Sequence, residues 1–104
     1  MELTYLTPKL RSATTDGKAA RKMLGEELAR SFHSIVADIR DAMSLGEVPG
    51  TLEVKSIGGS FELSFPLGGS SALEVEPLGV AAADWPQAHR LRLLRIVQNG
   101  GLLI

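Results

Sequence analysis

The chain of 104 residues is predicted to be an α+β domain, with a helical hairpin packed on one face of a four- or five-stranded, mainly antiparallel sheet. Three observations carry that expectation. From Leu24 to Met43 the apolar residues Leu24, Leu28, Phe32, Ile35, Val36, Ile39, Ala42 and Met43 recur at steps of three, four or one, as one stripe of a helix does. From Thr51 onward the period falls to two, as in strands with one buried face. Gly and Pro pairs separate the periodic segments.

Taken in order, Glu2 to Leu6 alternates weakly, with Leu3 and Tyr5 on one face, and reads as a first strand. Thr7-Pro8 supplies an N-cap and a first-turn proline, so a short helix runs through Leu10 to about Ala13, where Thr14 to Gly17 breaks it. Lys18 to Leu24 is a second helical piece, interrupted by Gly25. The main helix continues to about Ser44, with Gly46 as its stop and Pro49-Gly50 beyond it. Glu26 precedes Arg30 by four residues on the solvated side.

Leu52 and Val54 alternate with Glu53 and Lys55 in the next strand, followed by a Gly58-Gly59 turn. Phe61, Leu63 and Phe65 alternate with polar residues up to a Gly68-Gly69 hairpin turn. Ala72 to Pro77 forms the next strand, with Leu73 and Val75 inward and Glu74 and Glu76 on the solvated side. Leu78 to Gln87 is a loop whose Trp85 closes the core edge. His89 to Val97 is the last strand; Leu91, Leu93 and Val97 are expected to face the helices and Leu94 and Ile96 the reverse, so the strand is read as central. The helices cover one sheet face, and the other is where function is expected.

Composition narrows the function classes. Apolar residues are 44%, charged residues 22%, and the net charge is −1, so no global field favours nucleic acid and any such binding needs a local patch. One domain, 1–104, is the natural reading at this length. With no cysteine and two histidines, no zinc-ligand spacing exists, and neither metal nor cofactor is expected. No stretch is long enough to cross a bilayer and the opening MELTYLTPKL lacks a signal-peptide core, so a cytoplasmic protein without membrane contact is expected.

The segments ELTYLTPKL, ARKMLG, DIRDAMSLGEVPG, SFELSF, LEVEP and DWPQAHRLRLLRIV, in this order, resemble the RelE/ParE/HigB superfamily of type II toxin–antitoxin toxins, in its plasmid-maintenance killer branch. The resemblance implies a toxin held inactive by a cognate antitoxin protein, as a hetero-oligomer or alongside a homodimer. RelE- and HigB-like members inhibit translation as ribosome-dependent mRNA endoribonucleases; ParE-like members inhibit DNA gyrase. In the RNA-cutting members, cationic residues of the open sheet face hold the phosphate while the 2′-hydroxyl attacks. Lys55 lies one or two residues from a recurrent Arg position, and Arg92 matches another in the last strand. Where relatives of this branch carry further Arg and an Asp-Tyr-His segment, this chain has Ala72 and Gln98-Asn99-Gly100. Two readings follow: an endoribonuclease with an altered active-site pattern, or a non-enzymatic protein binder.

Lys55, Arg90, Arg92 and Arg95 are the RNA- or phosphate-binding candidates; Arg90 and Arg92, two apart, project from one sheet face. A solvated sheet edge is the alternative reading. His89 has the right chemistry for a general base, but no partner can be assigned to it from spacing. If Glu74 and Glu76 line the open face instead of the solvated side, they repel RNA phosphate. The apolar tail Leu102-Leu103-Ile104 is expected to bury itself on its own sheet or in a partner.

Overall fold

The computed structural model describes residues 1–50, 52–57 and 60–104. Thr7 caps the first helix, its Oγ accepting from the Leu10 amide at 3.2 Å, with Pro8 in the first turn. This helix, α1 (Pro8–Thr15), runs past the expected end. The Thr14 and Thr15 hydroxyls donate back to the Leu10 and Arg11 carbonyls, so both threonines stay helical. Asp16 is the break: its carboxylate accepts from the Lys18 and Ala19 amides and starts α2 (Gly17–Leu24). Gly25, at φ +83°, then turns the chain into α3 (Glu26–Asp41). The expected hairpin is thus three helices.

α3 ends earlier than its sequence period suggests. Ala42 is already extended, and Met43 is 77% exposed, off the stripe. The Met43 backbone is held outside the helix: its amide donates to Glu47 and its carbonyl accepts from His89 Nδ1. Nor is Gly46 a helix stop. It lies in a short 3₁₀ turn, Leu45–Glu47, where a Cβ would come 3.0 Å from Pro86, so close approach of two loops requires the glycine.

Among the described residues there are six strands: β1 (Glu2–Tyr5), β2 (Glu53–Ile57), β3 (Ser60–Gly68), β4 (Ser71–Leu78), β5 (Arg90–Gln98) and β6 (Gly101–Leu102). They form one mixed sheet in the order β1-β5-β4-β3-β2, with β6 also on β5, one strand more than the expected maximum. β1 runs parallel to β5; the other pairs are antiparallel. β5 is an inner strand, between β1 and β4, as expected, although its two-sided apolar pattern has another cause, a β-bulge at Leu94. The extra strand comes from the tail, where Leu102 pairs with Val97 while Leu103 and Ile104 pack against the core. The Gly58-Gly59 turn lies outside the described residues.

All three helices contribute to a single core with β3, β4 and β5. Leu10, Ala20, Phe32, Val36 and Ile39 meet Leu63, Phe65, Leu73, Val75, Leu91 and Leu93. Each fully buried side chain of this size contributes about 1.5–3 kcal/mol. Trp85 and Tyr5 pack at the rim.

The facing of β5 differs from simple alternation. Glu74 pairs with Arg95 but Val75 with Leu93, so Leu94 is an extra residue in a β-bulge. Beyond it the phase reverses. Ile96 enters the core, whereas Val97 sits opposite Ala72 on the far face. Ile96→Ala is expected to cost ~2–5 kcal/mol in urea denaturation and Val97→Ala about 1 kcal/mol or less. A larger loss for Val97→Ala restores straight alternation.

Candidate functional site

Among the described residues, no element covers the sheet face away from the helices. It carries cross-strand rows whose members share a face because directly opposed residues do so. One row is Glu53, Ser64, Glu74 and Arg95, across β2, β3, β4 and β5. Lys55 opposes Glu62 beside it, and on the same side of that row, toward β1, Glu76 opposes Arg92, which in turn neighbours Thr4. Leu78, Arg90 and Glu2 follow. A fourth row, Pro66, Ala72, Val97 and Leu102, is entirely apolar and crosses four strands.

All four expected cations therefore reach one face. Arg95 does so only because of the bulge: three positions after Arg92, it belongs on the opposite side of a regular strand. The expected phosphate cradle does not follow, because three of the four are matched to carboxylates. Arg95 Nη1 donates to Glu62 Oε1 at 2.8 Å and to Glu74 Oε1 at 2.7 Å. Lys55 Nζ reaches across β3 to Glu74 Oε2 at 3.0 Å. Arg92 lies 3.4 Å from Glu76. Arg90, five residues from Arg95 and so roughly 16 Å away along the strand, packs its guanidinium over Gly79. It makes no ion pair among the described residues.

Glu74 and Glu76 do line the open face, and Glu74 is not on a solvated side: it is 6% exposed, and Glu62 is 8% exposed. Burial pushes the Glu74 carboxyl up, but hydrogen bonds from Arg95 and Lys55 outweigh it and hold it below its ordinary value of 4.5. Lys55 is raised above 10.5, chiefly by its bond to Glu74, and Arg95 is raised by its bonds to Glu62 and Glu74. At neutral pH the pairs offset one another's charge: a carboxylate held ionised is a weak base, and a cation already facing a carboxylate attracts a phosphate less.

His89 lies just before β5, away from the network, with its Nδ1 donating to the Met43 carbonyl at 2.9 Å. It anchors the end of α3 to the sheet. His33 likewise donates through Nε2 to the Ala13 carbonyl at 2.7 Å, tying α3 to α1. No group of three His, Cys, Asp or Glu side chains suited to a metal ion occurs among the described residues. A shallow recess of about 300 Å³ lies beside the network, lined by Leu52, Glu53, Ser64, Pro66, Ser71 and Ala72. No helix among the described residues is long and apolar enough to cross a membrane.

What the sequence reading missed is Glu62, the pairing of Glu62, Glu74 and Glu76 with the cations, and the apolar row. Their signal was partial: Glu62, Glu74 and Glu76 alternate with core residues, but only strand register shows which cation each one meets. Comparison with protein-family models, with curated proteins and with solved structures returns no match.

Removing Arg95 leaves Glu62 buried and without its cation. Arg95→Ala is expected to cost about 3 kcal/mol in urea unfolding, whereas Arg92→Ala, at a more exposed pair, costs less than ~1 kcal/mol. Stability is expected to be flat near neutrality. The Glu74 contribution is complete above pH 4.5 and is lost as pH falls through the lower folded value; the Lys55 contribution is complete below pH 10.5 and is lost above it. Urea midpoints across pH check this, and Glu74→Gln is expected to flatten the acid limb.

Proposed function

We propose that this chain acts by binding another protein through its open sheet face and performs no chemistry on RNA. The finer reading is that it is a toxin-like module of the RelE/ParE/HigB type that works on, or is held by, a partner protein such as a cognate antitoxin. The observation that carries the coarser statement is the pairing of Lys55, Arg92 and Arg95 with Glu62, Glu74 and Glu76, beside the apolar row Pro66, Ala72, Val97 and Leu102. A phosphate backbone needs clustered, available cations, and its affinity scales with the number released to it. A protein partner needs the opposite: apolar surface flanked by polar groups that are already satisfied. Leu102, 73% exposed, stands at the end of that row. The finer reading is supported by the order of the elements, a strand, then helices, then an antiparallel run of strands, together with the quoted segments.

The test is induced expression in bacteria with simultaneous readout of growth, translation, mRNA 5′ ends and DNA supercoiling. Growth arrest without new mRNA ends is expected. It is expected to persist in the variant combining Lys55→Ala, Arg90→Ala and Arg92→Ala, and to be relieved by Leu102→Asp. New mRNA ends that vanish in that triple variant establish the endoribonuclease instead. Expression that leaves every readout unchanged removes the toxin reading and leaves a plain interaction module.

A further inference from the structure

The sheet order ends at β2, so among the described residues no strand lies beside one side of Glu53–Ile57. In an antiparallel ladder alternate residues turn their N–H and C=O outward, and such an edge is a template for another strand. Proteins commonly guard edges with a lysine projecting over them. Lys55 is placed to do this but does not: its ammonium is drawn inward across β3 to Glu74. What the edge presents is Val54, 48% exposed on the helix-side face, flanked on the other face by Glu53 and Lys55.

We infer that β2 is a dimerisation edge whose occupant is β2 of a second copy of this chain. The argument is charge complementarity in one register. Two antiparallel copies related by a two-fold axis through Val54 set Val54 against Val54 of the second copy. The same axis sets Glu53 against Lys55 of the second copy, and Lys55 against its Glu53, on the open face. Neighbouring two-fold registers fail: an axis through Lys55 opposes two ammonium groups, and one through Glu53 opposes two carboxylates. Glu53 is exposed and makes no ion pair among the described residues, so it is available to the second copy. Lys55 has three donor hydrogens and uses one on Glu74, so it joins the new pair without leaving the network. The outcome is one continuous sheet of two five-strand paths, with the helices of both copies on the same side of it. This inference stands apart from the proposed function, since it uses the β2 edge and not the apolar row.

The chain has no cysteine, which makes the register directly testable. Sedimentation equilibrium is run from the low to the hundred-micromolar range, with Glu53→Lys as the charge probe. Val54→Cys and Leu102→Cys are each oxidised mildly; both positions are exposed, but only the first lies on β2. A reversible dimer of twice the 11.1 kDa chain is expected. Glu53→Lys, which sets like charges opposite one another twice, is expected to weaken it roughly tenfold or more. Val54→Cys is expected to cross-link as a dimer faster than Leu102→Cys, since opposed strand residues lie within disulfide reach. A mass of 11.1 kDa at every concentration overturns the inference, including the case where a strand of a different protein captures β2. A dimer that is indifferent to Glu53→Lys and does not favour the Val54→Cys link also overturns it, because the contact then lies elsewhere.

Discussion

Among the described residues, the sheet is covered on one side only. Helices α1 and α3 bury their stripes against the same face, with α2 packed on both of them, and Phe32, Val36 and Ile39 meet Leu63, Phe65 and Leu93 there. The opposite face has no layer above it, so its polar groups must satisfy one another or meet water. Glu62 and Glu74 are buried even so, which requires cations laid over them. Arg95 and Lys55 supply these, and four adjacent strands are bridged by side chains as well as by their backbone ladder.

That arrangement depends on one extra residue. Without the bulge at Leu94, Arg95 points into the helix-side core and Ile96 to the open face; with it, both are correctly placed. A single insertion in the central strand therefore completes the core and, on the reverse, the ion network. Leu94 itself is buried but lies outside the main core cluster, as the unopposed residue of the bulge.

The same network separates two kinds of surface that look alike in a list of residues. Lys55, Arg90, Arg92 and Arg95 share one face, as a phosphate site requires, but availability and not proximity decides what they bind. Three are committed to carboxylates, and the inward pull on Lys55 strips the β2 edge of its guard. The face and the edge thus carry apolar and charge-paired surface rather than a cluster of unpaired cations.

Local chemistry was legible throughout the chain. Thr7-Pro8 begins a helix because a hydroxyl caps amides and proline suits the first turn; Gly25 breaks one because the chain there needs positive φ; Phe61, Leu63 and Phe65 declare a strand by alternation. The open face and three of its cations, Lys55, Arg90 and Arg92, were legible too, since alternation and the helical stripe imply a half-covered sheet; Arg95 joins them only through the bulge. Three things rested on tertiary structure. The end of α3 at Asp41 follows from bonds that Glu47 and His89 make to Met43, distant groups that no helical period reports. The sixth strand depends on a two-residue segment finding the free side of β5. Above all, the charge state of the face is a matter of register: Glu62, Glu74 and Arg95 are far apart along the chain, and only strand pairing brings them within hydrogen-bond reach, turning a string of cations into a neutral, interlocked surface.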